Sequence, residues 1–197
     1  MSFGNEQHIG HQLQRDHLFQ EELLPHAAAI YNFALRLSLD EDEAKDLVQE
    51  TYFKAYKFID SFHKGTNAKA WLYRILKNNF INEYRKKIKE PTKIDYQDVE
   101  SVYNSDEPQE TFTGSIAVYP FKEAIGDEVS KALNSLPIDF KIVIILCDLE
   151  EFTYEEMSKI LDIPIGTVRS RLHRARNILR NKLLQYAKSK GFKRELK

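Results

Sequence analysis

Apolar residues recur along most of this chain at the three- and four-residue spacing of amphipathic helices, and no stretch alternates long enough to predict a strand. Residues 11–90 show this helical pattern throughout, with Pro25 breaking an early helix. A long helix is predicted over roughly 69–89 and ends before Pro91. The helical spacing resumes at about residue 127 and continues to near the end of the chain.

Polar residues at three places predict where helices begin. Asp40 can accept hydrogen bonds from the first turn of a helix, and Glu43 completes a capping-box-like pair with it. Asp139 can cap a later helix, and Thr153 with Glu156 forms a capping box for the next one. These residues divide the helical pattern into separate helices.

Residues 91–120 differ from the rest, because three prolines and Gly114 interrupt them and acidic residues are frequent. This composition predicts a linker that is extended or only partly ordered. The chain therefore divides into a first domain at 11–90, an acidic linker at 91–124 and a second domain at 125–190. The predicted fold class is all-α, with two small helical domains.

The formal net charge of −1 conceals opposite charges in different parts of the chain. Residues 64–89 hold eight basic side chains and one acidic, and residues 164–197 hold eleven basic and one acidic. Residues 91–163 hold sixteen acidic and five basic side chains. Two basic blocks around an acidic one favour two contacts with a polyanion, joined by a part that avoids nucleic acid or imitates it. The simpler alternative is that basic runs are solvated helix faces.

Composition also limits the compartment and the chemistry. The longest apolar run, Ile142–Cys147, is far too short to span a membrane, and the polar first ten residues lack a secretory core. Cys147 is the only cysteine, so it can form neither an intrachain disulfide nor a multi-thiolate metal site. We therefore expect a cytoplasmic protein that does not insert into membranes and needs no metal or other cofactor.

From Thr153 onward the chain predicts a helix-turn-helix: a short capped helix, a tight turn at 162–164, and a basic helix from Ile165 past Leu184. On a helical wheel, the second helix buries an apolar face and opposes it with side chains that can bond to base edges. The candidate base-reading residues are Arg169, Ser170, His173, Arg174 and Asn177. Flanking residues better placed for phosphates are Thr167, Arg171 and Arg176. The alternative is a bundle helix whose polar side only meets water.

Two helix faces in the first domain carry unusual side chains. Phe53 lies among charged residues of the helix that begins after Asp40, so it either marks a protein-binding surface or packs under a neighbouring helix. In the helix over 69–89, a basic stripe with Trp71 at its border follows a polar loop at 62–69. Such a stripe suits single-stranded or distorted nucleic acid, whereas Tyr73 and Phe80 of the same helix are predicted to be core.

Two other function classes are compatible with parts of the sequence. A stand-alone helix-turn-helix regulator would explain the second domain and leave the first unexplained. A metalloenzyme would need the loosely clustered His8, His11, His17 and His26, but their spacing is irregular for a metal site. Cys147 is predicted to be buried and inert.

The stretch DLVQETYFKAYKFIDSF, followed by GTNAKAWLYRILKNNFINEYRKK, resembles region two of extracytoplasmic-function sigma factors. The stretch ALNSLPIDFKIVIILCDLEEFTYEEMSKILDIPIGTVRSRLHRARNIL resembles region four of the same family. Together they cover most of residues 17–187. The third conserved domain of housekeeping sigma factors has no counterpart here, since residues 91–120 are too short for it.

The resemblance implies a non-enzymatic, dissociable subunit that directs core RNA polymerase to specific promoters and helps open the DNA. Region two would bind the β′ clamp helices of the polymerase through Asp46, Gln49, Glu50, Phe53 and Lys57. It would open the −10 element and hold the melted non-template strand with Phe62, Lys64, Asn67, Lys69, Trp71, Arg74, Lys77, Asn78 and Arg85.

Region four, by the same resemblance, would read the duplex −35 element through the candidate residues between Thr167 and Asn177 and would also dock on the β-flap. An anti-sigma factor is expected to restrain the protein. The chain departs from the family at Asp162, where the turn commonly has glycine. Aspartate tolerates a left-handed backbone, so the motif is expected to survive.

Overall fold

The computed structural model describes residues 3–89 and 127–189, which form eight α-helices and no strand. The amino-terminal half contains α1 (Phe3–Leu18), α2 (Ala27–Ser38), α3 (Glu41–Lys57) and α4 (Ala68–Lys89). The carboxy-terminal half contains α5 (Asp127–Asn134), α6 (Ile138–Ile144), α7 (Tyr154–Leu161) and α8 (Ile165–Ser189). The predicted all-α class is confirmed, and the predicted linker at 91–124 lies outside the described residues.

Pro25 changes the type of helix rather than ending the helical path. A π-helical turn at Phe19–Leu23 and a 3-10 turn at Leu24–His26 connect α1 to α2. Proline has no N–H to donate and is tolerated only in the first turn of a helix, and Pro25 lies in the first positions of the 3-10 turn. The predicted interruption is therefore present as a change of hydrogen-bonding pattern.

The core of the amino-terminal half lies between α2, α3 and α4. The rings of Phe33 and Tyr73 stack at its centre, with centroids 4.5 Å apart. Ile30, Leu47 and Leu72 are fully buried around them. Tyr73 and Phe80, predicted as core, are both buried, so that prediction is confirmed.

The carboxy-terminal half is built around α6 and the π-helical turn that follows it at Ile145–Leu149. Ile142, Val143, Ile144, Ile145 and Leu146 are all buried, packing against α8 and the neighbouring helices. A helix covered on every side shows no single apolar stripe, which explains the unbroken apolar run. None of the described helices is both long and apolar enough to cross a membrane.

Two of the predicted caps are present. The Thr153 hydroxyl accepts from the backbone N–H of Glu156, and the Glu156 carboxylate accepts from the N–H of Thr153, which completes the capping box of α7. Asp40 accepts from the N–H groups of Asp42 and Glu43 at the start of α3. The first turns of both helices are therefore satisfied as predicted.

Two further cap predictions are wrong. The Glu43 carboxylate pairs with Lys87 of α4 at 3.0 Å and does not return to Asp40. Pro137, not Asp139, is the N-cap of α6, and the Asp139 carboxylate lies 3.5 Å from Arg171 of α8. In both cases the carboxylate forms an ion pair with a cation on another helix, although its position in the sequence predicted a helix cap.

The two halves pack against each other, mainly through α4 and α7. The Lys141 ammonium donates to the carbonyl of Leu37 at 3.0 Å, and burial lowers the pKa of Lys141 to about 8. Glu150, in the turn before α7, accepts a 2.5 Å hydrogen bond from the hydroxyl of Tyr73 and pairs with Arg36. Burial, followed by the nearby Glu150 charge, raises the pKa of Tyr73.

Removing the N-cap of α7 tests how much the Thr153 hydroxyl contributes to the stability of this helix. Thr153→Ala is expected to lower the free energy of unfolding by about 1 kcal/mol, because the N–H of Glu156 loses its acceptor. Urea titration followed by circular dichroism measures the change. Thr153→Ser keeps the acceptor and should stay close to the original protein, so equal stability of the two variants would contradict the role of the cap.

Candidate functional site

Helix α8 presents the predicted base-reading face to solvent. Val168, Leu172 and Ala175 are buried on its inner side. The turn before the helix is closed by Asp162, whose backbone is left-handed with φ 58° and ψ 47°. All five candidate readers are exposed: Arg169, Ser170, His173, Arg174 and Asn177. Packing of the apolar stripe therefore orients the opposite side of α8 outward.

Local contacts order part of this face. Asn177 and His173 lie 3.0 Å apart between side-chain nitrogens, and the Ser170 hydroxyl donates to the carbonyl of Thr167. The Arg169 guanidinium lies 5.7 Å from the centre of the Tyr154 ring. Arg174 has no hydrogen bond or ion pair with any part of the chain that the structure describes. Its five N–H donors therefore remain available for a base or phosphate.

The flanking arginines are held by carboxylates of the same half. Arg171 pairs with Asp139, and Arg176 forms a two-pronged contact with Asp148. The Asp148 hydrogen bond raises the pKa of Arg176. Arg176 also contacts the half-buried Cys147, and burial raises the pKa of that thiol. Both guanidinium groups are thus fixed at the sides of the reading face.

Four of the five predicted polymerase-binding residues line one groove of about 890 Å³ between α3 and α4. Phe53 is 63% exposed there, so the alternative that it packs under a neighbouring helix is wrong for the described chain. Lys57 does not line this groove, and its ammonium lies 5.6 Å from the centre of the Phe58 ring. The full lining is Asp46, Gln49, Glu50, Phe53, Lys54, Asn79, Asn82, Glu83 and Lys86.

Sequence reasoning missed the α4 side of this groove. Lys54 connects the two helices, since its ammonium lies 2.9 Å from Glu50 and donates to Asn79 at 2.7 Å. The α4 side of the groove includes three residues at helical spacing: Asn79, Asn82 and Lys86. A helical wheel of α4 divided into three faces would have identified them as one polar face. The groove wall is thus built by both helices.

The predicted −10 residues differ in burial: two are buried, Lys69 and Trp71 are half-buried, and the others are exposed. Phe62 is buried and its ring packs on Trp71, with centroids 5.2 Å apart. Lys77 is also buried, and burial followed by the nearby Arg74 charge lowers its pKa. The exposed members are Lys64, Asn67, Arg74, Asn78 and Arg85. The set therefore combines a supporting aromatic pair with an outward polar face.

The loop before α4 turns through Gly65, whose φ of 87° lies in the region that favours glycine. Asn67 then accepts from the N–H of Ala70 and so caps the helix. The amide nitrogen of Asn67 also donates to Glu156 of α7 at 2.7 Å. The loop before α4 is thus bonded to α7 of the other half.

Among the amino-terminal histidines whose side chains the structure describes, His11 and His17 each lie beside a carboxylate. His11 lies 3.6 Å from Asp60, and His17 lies 3.3 Å from Glu21. In residues 3–89 and 127–189, no three His, Cys, Asp or Glu side chains are grouped as metal ligands would be. The Asp60 carboxylate also lies 3.2 Å from the Arg15 guanidinium, so Asp60 is shared by two side chains.

Comparisons with known proteins divide the chain at the same place as the structure. The family model for Sigma-70 region 2 matches residues 24–89, and that for Sigma-70, region 4 matches residues 126–179. ECF RNA polymerase sigma factor EcfG of Rhodopseudomonas palustris is 35% identical over 160 residues, covering 81% of this chain and 82% of that protein.

Two further matches extend over most of the chain. ECF RNA polymerase sigma factor SigE of Mycolicibacterium smegmatis is 32% identical over 170 residues, which are 86% of this chain but only 63% of the length of SigE. A solved structure of the sigma factor RpoE in complex with the anti-sigma factor NepR from Bartonella quintana gives a TM-score of 0.61 at 38% identity. That match covers 84% of this chain and 96% of the other.

Proposed function

The chain belongs to the extracytoplasmic-function sigma factors of the sigma-70 family, the class of subunit that directs RNA polymerase to promoters, and we propose which of its surfaces perform each step. The observation that carries the proposal is the presence of region 2 and region 4 in one chain, each with an exposed polar face on its last helix. We assign the domains to 11–90 and 125–190, with 91–124 as the linker.

The α8 face reads the −35 element in duplex DNA. Its first turns enter the major groove, where Arg169 and Arg174 can bond guanine bidentately and Asn177 can bond adenine. Thr167, Arg171 and Arg176 contact phosphates beside the bases, which positions the helix without reading sequence. Each phosphate neutralised adds about 0.9 to the salt slope of binding.

The groove that contains Phe53 binds the β′ clamp helices of core RNA polymerase. An exposed aromatic ring surrounded by the acidic and amide side chains of Asp46, Gln49 and Glu50 suits a helix that offers an apolar contact and basic residues. Lys57 lies outside the groove and contacts the margin of that interface. Region 4 docks separately on the β-flap.

The face of α4 opens the −10 element and holds the melted non-template strand. Lys69, Arg74 and Arg85 follow the strand backbone, and Trp71, supported by Phe62, offers a surface for an unstacked base. Pocket contacts of this kind offset the cost of unstacking. Sigma factors act by binding, and we assign this one no bond chemistry of its own.

The remaining assignments follow from the partners. Promoters and core polymerase are in the bacterial cytoplasm, so we place the protein there. RpoE of Bartonella quintana is seen with an anti-sigma factor, and we infer that an anti-sigma factor also restrains this chain.

Transcription reconstituted from genomic fragments with core polymerase, with and without this protein, tests the proposal. A stand-alone regulator would instead bind operators tightly and leave core polymerase unstimulated.

Truncating Phe53 tests the polymerase-binding groove. Phe53→Ala is expected to weaken the affinity for core polymerase at least tenfold, because it removes the apolar centre of the interface. Fluorescence titration of labelled protein with core enzyme measures the affinity. Leu13→Ala is the matched control, since Leu13 is equally exposed at 63% but lies on α1. Equal affinity of Phe53→Ala and Leu13→Ala would remove Phe53 from the interface.

Truncating Arg174 tests the reading face. Arg174→Ala in the holoenzyme is expected to cost about 1–3 kcal/mol of −35 discrimination while leaving core affinity unchanged. Binding to a promoter selected from genomic fragments, compared with the same promoter with a scrambled −35 element, measures this loss. Arg180→Ala serves as the control, because Arg180 is exposed farther along α8. Loss of core affinity with discrimination intact would contradict the assignment.

A further inference from the structure

A second cavity, of about 410 Å³, lies between α4 and the carboxy-terminal half. Its volume falls within the range of about 300–1,000 Å³ that is common for small-molecule sites. The α4 wall includes Lys77, Asn78 and Arg85, and the opposite wall includes Asp139 of α6 and Arg171 of α8. The two walls come from distant parts of the chain, so no local sequence pattern indicates the cavity.

Lys77 is a buried cation on the wall of this cavity. It is 6% exposed, and among the described residues its ammonium has neither a hydrogen bond nor an ion pair. Burial, followed by the charges of Arg74 and Arg85, lowers the pKa of Lys77, while the Asp162 and Asp139 charges oppose this effect. Removing an ammonium from water is costly unless it gains an acceptor, and an anion in the cavity would supply one.

Cations outnumber carboxylates around the cavity. Lys77, Arg85 and Arg171 are basic, and Asp139 is the acidic residue among the described side chains that line it. The Asp139 carboxylate lies 3.5 Å from Arg171, so these two charges offset each other. The charges of Lys77 and Arg85 remain, and together they match a phosphate monoester, which carries about −1.5 to −2 at pH 7. A carboxylate, with a single charge, would offset only one of them.

Much of the remaining lining is apolar. Ile142 is 1% exposed, and the others are half-buried: Ile81, Leu161 and Ile163. An apolar group that covers these side chains is favoured because it removes their surface from water. A phosphate of the DNA backbone carries one charge and has no free apolar chain to cover them. The cavity therefore suits a small amphipathic anion better than a DNA strand.

We propose that this cavity binds a small phosphate monoester that has an apolar body. Lys77 and Arg85 hold the phosphate, and the Asn78 amide donates to it from the same wall. The apolar body covers Ile142 and Leu161, so the ligand contacts α4 on one side and the carboxy-terminal half on the other. This inference goes beyond the proposed function, because the occupant is a small metabolite and neither promoter DNA nor polymerase.

Isothermal titration calorimetry of the free, full-length protein tests the two parts of the site with separate probes. Hexyl phosphate carries both a phosphate and an apolar chain, whereas inorganic phosphate lacks the chain, 1-hexanol lacks the charge and hexanoate carries a single charge. Hexyl phosphate is expected to bind one molecule per chain, about tenfold or more tightly than any of the other three. Equal affinity for hexyl phosphate and any one of them would overturn the proposal.

Two variants test the cations that hold the phosphate. Arg85→Gln changes an exposed side chain, and Lys77→Met keeps an unbranched chain without its charge. Each is expected to weaken hexyl phosphate binding about tenfold or more, since a charged partner of the phosphate is lost. Lys86→Gln is the matched control, because it removes a charge from the next residue of α4, which lines the other groove. Its affinity should stay within about twofold of the original.

Unchanged affinity in both Arg85→Gln and Lys77→Met would overturn the site. An equal loss in Arg85→Gln and Lys86→Gln would also overturn it, because the loss would reflect net charge alone. Circular dichroism verifies that all three variants keep their helix content. The titrations contain neither DNA nor polymerase, so a failure of this site and a failure of the proposed function are separate results.

Discussion

Burial of one apolar stripe on α8 and of another on α4 determines which side chains of these two helices remain available for binding. Val168, Leu172 and Ala175 are buried on α8, and this packing turns the five candidate base readers outward. A helix turns by about 100° per residue, so a shift of one residue would carry this face partly into the core. Leu72 and Leu76 are buried on α4 and orient that helix in the same way. The binding surfaces are thus consequences of core packing.

Opposite charges that cancel in the net charge of −1 are neighbours in space. Arg171 and Arg176 are paired with carboxylates of their own half, whereas Lys69 and Arg74 are paired with carboxylates of the other half. Binding a polyanion through these four side chains therefore requires an exchange of partners, and the net free energy of that binding is a difference between two similar contacts. Salt weakens the ion pairs within the protein as well as those with a polyanion. Exposed ion pairs are weakened more than those around the buried Glu150 carboxylate.

The sequence predicts features that depend on nearby residues and misses those that depend on distant ones. The capping box of α7 and the exposed polar face of α8 follow from spacings within one helix, and the structure contains both. Glu150 carries no such signal, because Tyr73 is 77 and Arg36 is 114 residues away along the chain. Asp139 has the spacing of a cap, but tertiary packing brings it to Arg171 instead. The exposure of Phe53 likewise depended on how neighbouring helices pack.

The left-handed turn at Asp162 places a charged side chain next to a residue of the other half. Its left-handed conformation is one that glycine adopts without strain, so the turn itself does not require a carboxylate. The aspartate adds a charge next to Arg74 on the other half. Exchange between aspartate and glycine at this position therefore adds or removes one charge contact between the two halves and leaves the candidate base readers of α8 unchanged.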